Sequence, residues 1–91
     1  MVEYTWEPTQ WKLKTNLSRF ANLVFITLTA GDYIVRYGKG ALNSNLEWVN
    51  SPKSHDEALD LGVVCATLDD AKQRFVDFEM MFNIEKTMEL K

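Results

Sequence analysis

Histidine and cysteine occur once each in this 91-residue chain, at His55 and Cys65, beside only two prolines and four glycines. A lone cysteine cannot close an internal disulfide, which favours a reducing compartment. One histidine and one cysteine cannot supply a Cys-x-x-Cys pair or a His-Glu-x-x-His helix, so no structural metal is expected. Four scattered glycines do not build a GxGxxG or GxxxxGK[ST] phosphate loop. No apolar run approaches the roughly 18 residues of a membrane span. The stretch MVEYTWEPTQ has neither the basic start nor the apolar core of a secretion signal, so a cytoplasmic location is expected. Basic charge is also short: the net charge is −3 and the isoelectric point about 5.0.

What is present is ordinary globular material. The chain is 46% hydrophobic and 25% charged, which places it with folded domains and away from disordered tails. Residues 1–91 are expected to form one domain, of a size that buries only about 60–65% of its unfolded surface. Charge is uneven along it. Residues 1–46 carry five bases and three acids, and residues 47–91 five bases and ten acids. Such polarity either steers a charged partner or separates the sheet surface from the helix surface of a single domain.

The first half alternates apolar and polar residues, the period of half-buried strands. Residues 2–6 (VEYTW) and 11–15 (WKLKT) read this way. Residues 21–29 (ANLVFITLT) are β-branched, aromatic and apolar on both faces, as a central strand should be. A turn at 30–32 (AGD) leads into 33–37 (YIVRY), the return arm of a hairpin. Residues 38–45 (GKGALNSN) read as a flexible loop, and 46–49 (LEWV) as a last short strand.

The period then changes. SHDE at 54–57 is a capping box, with Ser54 accepting from the amide of residue 57 and Glu57 reaching back to the amide of Ser54. A short helix to Leu61 follows, and Gly62 is placed to end it in a left-handed conformation. Residues 63–66 (VVCA) run inward. Thr67 caps a second helix, with Asp69 and Asp70 favourably placed in its first turn. Leu68, Ala71, Phe75, Phe78 and Phe82 share one stripe of that helix, facing the sheet, and Asp70 pairs with Arg74. Val76 and Met80 lie on a flank beyond Lys72 and Glu79, and Met81 lies on the other side. Continuing the helix past Asn83 would turn Glu85, Lys86 and Glu89 onto the core stripe. Ile84, Met88 and Leu90 alternate instead, which favours a C-terminal strand or swapped arm over a projecting helix.

The expected fold is therefore α+β: an antiparallel sheet of four to five strands, one main C-terminal helix and one short helix. Catalytic equipment is not legible. His55 reads as a solvated first-turn residue, and Cys65, flanked by apolar neighbours, as a small buried hydrophobe. No enzyme and no cofactor are expected. A single-stranded nucleic-acid binder would draw on Lys12, Lys14, Arg19, Arg36 and Lys39, interleaved with aromatics along the strands. Against it, alternation turns Trp11 and Leu13 away from Lys12 and Lys14, and the chain is acidic. Protein binding accounts better for the surplus apolar residues Val76, Met80, Met81, Ile84 and Met88, together with Trp6, Trp11 and Trp48. A homodimer is the most economical use of such a surface, and a structural homo-oligomer an alternative.

The order of strands, the GDYIVRYG hairpin arm, the tryptophan strand and the helix opening ATLDDAKQRF resemble small phage-encoded accessory proteins, including anti-CRISPR and other anti-defence inhibitors. The resemblance spans about residues 11–82. It implies a non-enzymatic inhibitor in the host cytoplasm that binds a host or phage protein complex, and it carries no individual site residue across.

Overall fold

The computed structural model describes residues 4–8, 11–14, 20 and 23–89, with side chains as far as residue 82. The fold is α+β, with strands β1 (Trp6–Glu7), β2 (Lys12–Leu13), β3 (Val24–Thr29), β4 (Asp32–Tyr37), β5 (Gly40–Leu42) and β6 (Trp48–Asn50). Helix α1 (His55–Leu61), strand β7 (Val64–Cys65) and helix α2 (Leu68–Glu89) follow. All pairings are antiparallel, in the order β1-β2-β3-β4-β5-β6 with β7 also on β4. One edge of β4 serves β3 along its whole length. The other is divided, Arg36 and Tyr37 pairing with β5 and Tyr33 and Ile34 with β7.

The sheet has more strands than the four or five expected, and the reason is local. Residues 38–45 are not a loop throughout: Gly38, at φ 56°, turns the chain so that Gly40 pairs with Tyr37, and β5 follows with Ala41 and Leu42 fully buried. Residues 46–49 shift as well. Leu46 takes a left-handed φ of 63° outside the strand, in a turn held by Asn43, whose Oδ1 accepts from the Asn45 and Glu47 amides at 2.9 Å each. The β3–β4 hairpin forms as expected. Ala30 and Gly31 both have positive φ, at 51° and 87°, which gives the turn the handedness that matches strand twist.

The helix starts follow their capping residues. Ser54 Oγ accepts from the Glu57 amide at 3.1 Å, while the Glu57 carboxylate accepts from the Lys53 amide at 3.3 Å instead of that of Ser54. Gly62, at φ 70°, closes α1 by donating to the carbonyls of Ala58 and Leu59. Thr67 Oγ1 accepts from the Asp70 amide at 3.1 Å. Beyond Asn83 the C-terminal strand or arm is not what forms, because α2 continues to Glu89. No glycine or proline interrupts residues 83–89, and a helix already nucleated propagates through Glu, Lys and Met without needing a core beneath it.

The pleat separates two cores. On one face α2 covers Leu13, Val24, Ile26, Val35, Leu42 and Cys65 with Ala71, Phe75 and Phe78, and Leu68 and Phe82 pack against that cluster. The expected helical stripe is thus the stripe that is used. On the other face α1 covers a smaller set, Ile34, Ala41, Ala58 and Val63. Trp6, Trp11 and Trp48 are not surplus: each is partly buried against the α2-side core. Arg74 does not form the expected bond to Asp70. Its Nη1 donates to the carbonyls of Gly62 at 3.1 Å and Leu42 at 3.4 Å, tying α2 to the end of α1 and to β5.

Candidate functional site

Two surfaces are candidate sites, beside the separately exposed Leu23, Leu28 and Leu59. The first is the outer side of α2. Met80 and Met81 are 56% and 36% exposed, and Val76, one turn before Met80, is half-buried. The polar residues that separate this flank from the core stripe are not simply solvated. Lys72 Nζ lies 4.5 Å from the centre of the Trp11 ring, a cation–π contact. Glu79 is only 3% exposed, and its Oε2 has no hydrogen-bond partner among the described residues. The N-terminal segment therefore reaches the border between the core stripe and this flank, with Tyr4 near the Glu79 carboxylate and Tyr4 and Trp6 packed edge-on against Phe75 at 5.9 and 5.8 Å. The exposed apolar surface begins one residue beyond Glu79. Positions 84 and 88 continue the helix at spacings of four from Val76 and Met80, and their side chains lie outside the described residues.

The second surface is the part of the α1-side sheet face that α1 does not cover. Cross-strand register places Lys12 opposite Phe25, and Phe25 opposite Arg36. Directly opposed residues of an antiparallel pair share a face, so an aromatic ring sits between two cations. Arg36 Nε donates to Thr27 Oγ1 at 2.8 Å and Nη1 to Ser51 Oγ at 3.0 Å. Both acceptors are neutral, which fixes the guanidinium without cancelling its charge. An open groove of about 400 Å³ is lined by Lys12, Phe25, Ile26 and Thr27.

The other expected cations divide. Lys14 pairs with Glu7 at 3.2 Å, and Lys39 is exposed in the β4–β5 turn, where its carbonyl accepts from the Ser51 amide. Arg19 lies outside the described residues. The objection that aromatics and bases point to opposite faces holds for Trp11 and Leu13 but not for Phe25. That residue could have been placed from the hairpin alone, since the Ala30–Gly31 turn pairs Thr29 with Asp32 and so Phe25 with Arg36. The Lys12–Phe25 register carries no comparable local signal.

The remaining reactive groups are committed elsewhere. His55 is not a free first-turn residue, because its Nε2 meets Asp32 Oδ2 at 2.8 Å and pins α1 to the start of β4. Burial pushes the Cys65 thiol above its ordinary value. Arg74 pulls it back, while Asp70 and Asp32 push it further up. It is held as a thiol, a poor nucleophile. Burial, and then the Glu79 carboxylate, push the Tyr4 hydroxyl up as well. Among the described residues no three His, Cys, Asp or Glu side chains gather to hold a metal, and no helix is long and apolar enough to cross a membrane. No protein-family model, curated protein or solved structure matches the chain.

Proposed function

We propose that this protein is a non-enzymatic protein-binding module whose contact surface is the outer flank of α2. The observation that carries the reading is the exposure of Met80 and Met81, one on each side of the outer face of a helix whose inner stripe is engaged by aromatic packing. Methionine is flexible and polarisable, suited to a surface that must fit a partner. A solvated helix with no contact duty has little reason to expose two such residues on its outer face. Val76 shares Met80's side of that face, and Ile84 and Met88 repeat the same spacing of four in the sequence. The commitment of His55 to Asp32 and of Cys65 to the core supports a binder over a catalyst.

The partner is a protein of a host defence complex of the CRISPR type, and the chain a phage-encoded inhibitor acting in the host cytoplasm. The resemblance of ATLDDAKQRF and its preceding sheet to small phage accessory proteins supports this assignment. A structural homo-oligomer joined through the same flank is the competing reading. Both are tested with a photo-crosslinking residue at Met80 and with Met80→Asp. The inhibitor reading expects slowed target cleavage by a purified CRISPR-type effector, a crosslink to one effector subunit, and loss of both in Met80→Asp. Light scattering that shows a dimer dissociated by Met80→Asp would favour the oligomer. Inhibition or self-association indifferent to that substitution removes α2 from the account.

A further inference from the structure

We infer that the open sheet face centred on Phe25 is a second, independent site, which binds a short segment of single-stranded nucleic acid. The base stacks on the Phe25 ring, and its flanking phosphates rest on Lys12 and Arg36.

The arrangement supplies the three elements such recognition requires. A ring at the middle of a sheet face offers a sequence-tolerant stacking platform, since every base has a π-face. Cations stand one strand to either side, about 5 Å away in each direction at the spacing of paired strands. In a strand each base branches from a sugar that has a phosphate on either side. Neither Lys12 nor Arg36 is ion-paired among the described residues: Glu7, which faces Lys12 across the β1–β2 pair, is held by Lys14 at 3.2 Å. Arg36 spends two of its five N–H groups on Thr27 and Ser51, which leaves three for a phosphate while the side chain is already held. The groove of about 400 Å³ beside Phe25 gives the base room to enter. Lys39, exposed next to Ser51, extends the positive edge beyond Arg36.

Charge selects this occupant over an apolar peptide, which would leave two desolvated cations unpaired. The net charge of −3 sets the scale. The site engages a few nucleotides and does not track a long strand. It lies across the sheet from α2, so it stands or falls separately from the α2 flank.

The test is fluorescence anisotropy of the full chain with labelled oligothymidylate and oligouridylate across a salt series. Two phosphate contacts predict a slope of log K against log salt of about −1.4, from about −0.7 per contact on single strands. Lys12→Gln and Arg36→Gln should each remove about half of that slope. Phe25→Leu should weaken binding about tenfold with the slope unchanged, because stacking is lost and charge is kept. Thr27→Asp, which sets a carboxylate against Arg36, should abolish binding and serves in place of Phe25→Leu if that variant fails to fold. Met80→Asp should have no effect. Absence of saturable binding overturns the proposal. So does equal competition by inorganic polyphosphate, which has no base to stack, or indifference to both Phe25→Leu and Thr27→Asp.

Discussion

On the α2 side of the sheet, Phe75 is fully buried and meets Tyr4, Trp6 and Phe20 edge-on at ring distances of 5.9, 5.8 and 5.9 Å, while Phe78 meets Trp48 at 5.3 Å. On the α1 side the fully buried set is Ile34, Ala41 and Val63, with Ala58 1% exposed, and no aromatic residue belongs to that cluster. Its one central ring, Phe25, lies outside the cluster, half-buried beside an open groove. One face is closed by large interlocking side chains. Among the described residues the other is closed only where a seven-residue helix lies over it, and it turns polar and cationic where that helix stops. A small domain that concentrates its aromatic burial on one face frees part of the other for ligands.

The largest test of this contrast is Phe75→Ala, which should cost about 3–5 kcal/mol in urea unfolding, enough to unfold much of the population of a marginal domain. Ile34→Val, at the corresponding depth on the α1 side, should cost only about 1 kcal/mol. Equal losses at the two positions, corrected for volume removed, would mean that the cores are not unequal. Glu79→Leu should move stability the other way, by about 1 kcal/mol, since it removes a buried acceptor that has no partner among the described residues and keeps the volume. A loss of that size would show that the carboxylate is satisfied after all. Ala30→Asn should add about 0.5 kcal/mol, because asparagine adopts the left-handed conformation of the hairpin turn more readily than alanine.

The smallest effect is a pH dependence. The folded Cys65 thiol titrates above its ordinary value of 9.0, so the folded state holds its proton where the unfolded chain has begun to lose it. Its contribution to stability is therefore complete below pH about 9 and is lost as pH rises through the folded value. Cys65→Ala should flatten that alkaline limb of the unfolding curve. The thiol of the native protein should react with a disulfide reagent far more slowly than that of the urea-unfolded chain.

Much of the architecture was legible because its signals are local. The Ala30–Gly31 turn, the Ser54 and Thr67 caps, the Gly62 stop and the Phe75 stripe each depend on neighbours within a few residues. What escaped the sequence depended on partners far along the chain. Strand β5 exists because β4 offers an edge, and α2 runs to Glu89 because helix propagation does not consult the core. The buried Glu79 lies near Tyr4, far away along the chain, and no period within the helix encodes that neighbour. The candidate surfaces divide in the same way. Met80 and Met81 were visible from helical projection, whereas the Lys12–Phe25–Arg36 row needed a register between strands that no turn connects directly.

The shared outer edge of β4 has a practical consequence. Residues 51–63 leave the sheet from β6 and return to it as β7, on the edge of β4 that β5 also uses, so this excursion is anchored at both ends. Lengthening a loop whose ends are already held costs about 0.6 kcal/mol for each doubling. The exposed stretch at Lys53 and Ser54, just before α1, is where a reporter peptide could be spliced in at Lys53, ahead of the cap, leaving the termini and α2 unaltered.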